Sequence, residues 1–137
     1  MSRENIVSEI TSKLKNMTSP TLKKVERDPI QPEELAKTAF PAVYIETTDE
    51  DIEDITLGSL RSGTMEVNVV CFVGGHQRDK QRNAVVEGIE SALLTDRSVN
   101  NTATHIALTG VESIAVGESA PYASVRMVFT VKHHYQL

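Results

Sequence analysis

"SGTMEVNVVCFVGGHQRDKQRN", residues 62–83, runs from an alternating strand through two glycines into a charged segment. Met65, Val67, Val69, Cys71 and Val73 fall on one face of a two-residue period, while Glu66 and Asn68 on the other give way to Val70 and Phe72. The pattern predicts a long strand that is half exposed at its start and buried on both faces toward its end. Past the glycines, Asp79 is placed to cap a helix over 79–95, with Val85, Ile89, Ala92 and Leu93 as its apolar stripe. The junction is either a phosphate-binding loop or a plain strand-to-helix corner. A phosphate loop needs Gly, four residues, then Gly-Lys-Ser/Thr. Counting from Gly74 or Gly75 puts Asp79 or Lys80 where the second Gly belongs, and no third glycine completes a dinucleotide loop. The basic residues that follow (His76, Arg78, Lys80, Arg82) leave an anion at the helix start as the lesser alternative. The junction reads as a corner.

Outward from this centre, residues 3–17 predict a first helix with Ser2 as N-cap, because Val7, Ile10, Leu14 and Met17 share one face. Pro20 stops it, since the residue before a proline disfavours helix. "TLKKVER" (21–27) predicts a short strand and "EELAKTA" (33–39) a single helical turn. In "FPAVYIETT" (40–48), Val43 and Ile45 point one way and Ala42, Tyr44 and Glu46 the other. "HIALTGVESIAVG" (105–117) and "YASVRMVFTVKHHY" (122–135) predict a closing hairpin turned by "GESAP". Val125, Met127, Phe129, Val131 and Tyr135 form one face of the last strand; Ser124, Arg126, Thr130, Lys132 and His134 form the other. The expected fold is α+β: a mixed, mainly antiparallel sheet of four or five strands with two helices packed on one face. A length of 137 residues is expected to make one domain.

The net charge of −5 comes from one segment. "TTDEDIEDIT" (47–56) holds Asp49, Glu50, Asp51, Glu53 and Asp54 and no base; without these five, 14 acids stand against 14 Lys and Arg. Residues 48–59 are expected to be an exposed acidic loop. A neutral-to-acidic body is unsuited to gripping DNA phosphates. Three Tyr, three Phe and no Trp leave little for a stacking platform. The lone Cys71 allows no intrachain disulfide and no cysteine-rich zinc site, and mid-strand it reads as core. The polar N-terminus shows no apolar leader, and no run has the apolar length a membrane span needs. The expectation is a soluble protein folded in a reducing compartment, without membrane contact.

Motifs of chemistry are few in this sequence. "GSLRSG" (58–63) lacks the Gly-x-Ser-x-Gly spacing of a nucleophile elbow and reads as a loop carrying hydroxyls. The acidic segment lacks the glycine and the closing glutamate of an EF-hand: Asp54 and Leu60 stand there. His133 and His134, adjacent in a strand, leave opposite faces. The acids lie on a segment expected to move, whereas acid–base catalysis needs fixed geometry. No catalytic, metal-binding or cofactor-binding residue emerges, and no enzyme is expected.

"FPAVYIE" followed by an acidic segment, "TMEVNVVCFV", a helix, and closing strands ending in "VRMVFTVKHHY" resembles the tail terminator (tail completion) proteins of long-tailed bacteriophages. The match covers nearly the whole chain; Phe40-Pro41-Ala42 and the element order carry it. The resemblance implies a hexameric ring of the protein with itself on the end of the tail tube. Its partners would be the tail tube protein and the head-neck or connector proteins, with DNA passing through unbound, in a virion assembled in the host cytoplasm. A neck or head-closure connector, a monomeric protein-binding module and a small enzyme such as a nuclease are the alternatives. A head-to-tail ring needs two complementary patches. The acids Asp49, Glu50, Asp51, Glu53 and Asp54 and the bases Arg61, Arg78, Lys80 and Arg82 are the candidate interface residues.

Overall fold

The computed structural model describes residues 2–55, 58–75, 78–114 and 122–136. Helix α1 (Ser2–Asn16) leads to a short strand β1 (Lys24–Glu26), two 3-10 turns (Pro32–Glu34 and Lys37–Ala39), strands β2 (Ala42–Asp54) and β3 (Leu60–Gly74), helix α2 (Arg78–Leu94), and strands β4 (His105–Ile114) and β5 (Tyr122–Gln136). The five strands form one sheet in the order β1-β2-β3-β5-β4. All neighbours are antiparallel except β1 and β2, which run parallel over Lys24–Glu26 and Ala42–Tyr44.

Both helices cover the same face. The stripe predicted for α1 (Val7, Ile10, Leu14, Met17) is buried, with Ile6 added, against Val43, Ile45, Val67, Val69, Met127 and Phe129 of the sheet. From α2, Val85, Ile89 and Leu93 enter the same core. Cys71 is buried there, where loss of solvent pushes its thiol above the ordinary value. The expected face of β5 holds: Val125, Met127, Phe129 and Val131 are buried, and His133 continues the series fully buried while His134 is exposed.

The other sheet face is only partly open. The segment carrying the 3-10 turns folds over one corner, where Ile30, Ala42, Val70, Phe72 and Tyr122 make a second small core with Leu35, Phe40 and Tyr44 against it. Phe72 stands edge-on to Tyr122 at 6.0 Å, and the Tyr122 hydroxyl donates to Glu33 Oε1 at 3.1 Å. This is why Val70 and Phe72 interrupt the polar alternation of β3.

The glycine junction is a corner. β3 ends at Gly74, whose missing Cβ would lie 2.8 Å from the Phe40 ring, and Gly75 has φ +84°, a left-handed conformation that suits glycine. His76 and the "GESAP" turn lie outside the described residues.

Several expectations need correction. Residues 48–54 of the expected acidic loop are strand, completing β2, and the "GSLRSG" loop becomes strand from Leu60. An edge strand needs a partner on one side only, so charge does not keep the segment out of the sheet. The single helical turn at 33–39 is two 3-10 turns, and α2 starts at Arg78, so Asp79 sits inside its first turn rather than capping it. β1 is shorter than 21–27 because only three residues find partners on β2.

Candidate functional site

The acidic strand decides the surface chemistry. Up to Thr47, β2 pairs regularly with β3, but the register shifts between Thr47 and Glu50, so that Thr47 faces Val67 and Glu50 faces Met65. Met65 and Val67 lie on the helix-covered face. The extra residue of this bulge therefore turns Glu50 inward, although plain alternation would leave it outside.

Glu50 meets two groups there. Its Oε2 lies 2.7 Å from Nε2 of the fully buried His133, and its Oε1 accepts from Arg3 Nε of α1. Arg3 also lies 5.0 Å from the centre of the Tyr135 ring and donates to the Tyr135 hydroxyl at 3.3 Å, while Tyr135 stacks on His133 at 5.5 Å. Gly63, opposite His133, leaves the space: a Cβ there would come within 2.6 Å of His133 Nε2 and run into the Glu50 carboxylate. Burial pushes Glu50 up, but the hydrogen bonds and charges of Arg3 and His133 outweigh it, and its carboxyl stays below the ordinary value. The cluster is a clamp that fastens the distal half of β2 to the start of α1.

Such a clamp has a pH signature. A carboxyl held below its unfolded value contributes stability above that unfolded value, and the contribution is lost as pH falls through the folded one. Glu50→Gln is expected to cost about 1 kcal/mol at neutral pH and to flatten the loss of stability below about pH 4.5. Urea melts of both forms across acid pH check this; parallel curves would show that Glu50 does not couple folding to protons.

The other candidate interface residues separate. Asp54 pairs with Arg61 across the hairpin at 3.0 Å, and Arg82 with Asp79 at 2.8 Å on α2. Arg78 donates to the Tyr122 carbonyl at 3.2 Å, so it anchors the start of α2. Lys80 is exposed on α2. Asp49, Asp51 and Glu53 are exposed and make no ion pair among the described residues. The structure thus brings Glu50 together with Arg3, His133 and Tyr135, and places Asp54 with Arg61. It does not gather Arg78, Lys80 and Arg82 beside the acids. Arg3, His133 and Tyr135 are not among the residues expected from the sequence; the signal for His133 and Tyr135 is that both share the apolar parity of Val125 to Val131.

Elsewhere the polar groups serve the fold. Asp96 accepts from Ser98 Oγ at 2.6 Å, Ser98 N at 3.0 Å and Asn100 N at 2.9 Å, bonds that hold its carboxyl down at about 2. They close the turn in which Val99, Asn100 and Asn101 take left-handed conformations (φ 49°, 55° and 64°). Among the described residues no group of three His, Cys, Asp or Glu is placed to hold a metal ion, and no helix is long and apolar enough to cross a membrane.

No family model matches the sequence, and no curated protein matches it. Among solved structures the chain is similar to one in the "Virion of native gene transfer agent (GTA) particle", with a TM-score of 0.59 and 11% identity, covering 92% of this chain and 92% of that one. At that identity the likeness is one of fold.

Proposed function

We propose that this protein is a structural component of a phage-like virion, and within it the terminator of the tail. As one unit over its whole length it closes with copies of itself into a hexameric ring on the end of the tail tube. The ring stops polymerisation and offers the head-neck proteins a docking surface. The fold shared with a virion chain over 92% of both chains carries this reading. Two features support it. The buried His133 and its partner Glu50 fasten β5 to β2 in a clamp, as a scaffold requires. Asp49, Asp51 and Glu53 of the acidic strand are also exposed, and a channel wall without excess positive charge lets DNA slide. The similar chain is known by its particle and not by its position within it, so a head-closure connector of the same virion is the second reading.

Native mass spectrometry across concentration, with and without magnesium, tests the first step, with a closed ring of six as the expected species. Purified rings are then expected to block elongation of tail tubes, and rings that bind only the head side would favour the connector. Neutralising Asp49, Asp51 and Glu53 to Asn and Gln is expected to weaken the ring while changing stability by less than about 0.5 kcal/mol. Unchanged rings would remove the acids from the interface.

A further inference from the structure

We infer that the outer part of β2, residues 50–54, is a strap that opens from β3 as a unit, hinged at the Thr47/Glu50 bulge, with Arg3 of α1 as its catch. Shut, the strap covers the edge of β3 at residues 61–65; open, it uncovers that edge and the side of His133 that meets Glu50. The device belongs to the single subunit and does not depend on ring formation. Register divides β2 into two parts. Residues 42–47 pair with 67–72 of β3 without a break, Val43 and Ile45 enter the main core, and β1 covers 42–44 from outside. Residues 50–54 pair with 61–65 beyond the register shift. Among the described residues no backbone group pairs with their outer side. Every strap residue except Glu50 is exposed, Ile52 at 48%. A strand that pairs on one side and buries one side chain has little besides its ladder to keep it in place, and such segments open locally.

β3 does not have to follow the strap. It pairs with β5 over its whole length, Leu60–Gly74 against Tyr122–Gln136, with no register shift. Few side chains fasten the strap to the rest. At the hinge, Thr48 Oγ1 donates to Glu66 Oε2, which keeps the fixed side of the bulge on β3. At the tip, Ile55 N donates to the Leu60 carbonyl at 3.0 Å, and Asp54 pairs with Arg61 at 3.0 Å. That ion pair is open to solvent and contributes little. Between hinge and tip the fastening is Glu50, which meets His133 Nε2 at 2.7 Å and accepts from Arg3 Nε. Its side chain is 14% exposed, and charge-assisted hydrogen bonds in so sheltered a place are stronger than those in water. Arg3 ties the strap to the helix layer, whereas His133 belongs to the sheet itself. Tyr135 keeps the guanidinium in position, its ring centre 5.0 Å away and its hydroxyl accepting at 3.3 Å.

The test is amide hydrogen exchange, resolved residue by residue in NMR, of the full chain and of Arg3→Met, which leaves every strand unaltered. The amides of residues 50–54 are expected to exchange about tenfold faster in the variant. Along residues 61–65 every second amide, the ones directed at β2, is expected to follow, while those directed at β5 and the amides of 42–47 keep their rates. Arg3→Lys, which restores a positive charge beside Glu50, is expected to recover most of the protection. Equal acceleration throughout the sheet would overturn the strap, because the segment would then open only with the whole fold. Acceleration that includes 42–47 would overturn the hinge at the bulge. Unchanged rates at 50–54, or a lysine variant no better protected than Arg3→Met, would overturn Arg3 as the catch.

Discussion

Gly63→Val is expected to destabilise the folded chain by about 3–5 kcal/mol, read as a lower urea midpoint at an unchanged slope. The position has no room for a side chain. An added Cβ would stand 2.6 Å from Nε2 of His133, whose ring is fully buried and cannot swing aside, and it would displace the Glu50 carboxylate. Glu50 is the group that must move, because its side chain retains 14% exposure. Its departure breaks the bond to His133 and the pair with Arg3 together, and the distal half of β2 loses its hold on α1. The shared cause makes a double-mutant cycle decisive. Glu50→Ala already gives up those contacts, so Gly63→Ala combined with it should cost less than the sum of the two single changes by about 1 kcal/mol. Strict additivity would show that Gly63 acts through the backbone and not through the clamp.

At Gly88 the sign of the usual helix rule is expected to reverse. An exposed glycine inside a helix gains about 1 kcal/mol on replacement by alanine. In α2, a Cβ at Gly88 would collide with the Ser19 carbonyl oxygen and lie 2.9 Å from Pro20 Cδ and 3.0 Å from Met17 Cε. The first of these is backbone, in the turn that follows α1, so relief requires the two helices to part. Gly88→Ala is expected to cost about 1–2 kcal/mol net and Gly88→Val about 3 kcal/mol. Thermal or urea melts check both. A stabilised Gly88→Ala would mean that the 17–20 turn yields easily and that the helices do not meet there.

The acidic segment shows where sequence reasoning stopped. Its charge density argued for a loop because five acids cannot be buried, yet an edge strand buries almost nothing on its outer side. Inward-turned charge, acids along the edge and a bulge are the devices that keep a strand from pairing with its own kind. Arg61 and Arg82 pair with Asp54 and Asp79 of the same chain.

By itself, the sequence determined the elements that repeat locally. The period-two faces of residues 62–75 and 122–135, the stripes of both helices, the core role of Cys71 and the corner at Gly74–Gly75 follow from rules that span a few residues. Each buries one face whichever partner it meets. The tertiary structure alone decided the pairing order β1-β2-β3-β5-β4, the parallel entry of β1 and the one-residue shift at Thr47/Glu50. That shift is set by the fit of β2 against β3, in space that Gly63 leaves for Glu50 and His133. Contacts such as Arg3 with Glu50 and Glu50 with His133 join residues 47 and 83 positions apart, and no local period encodes them.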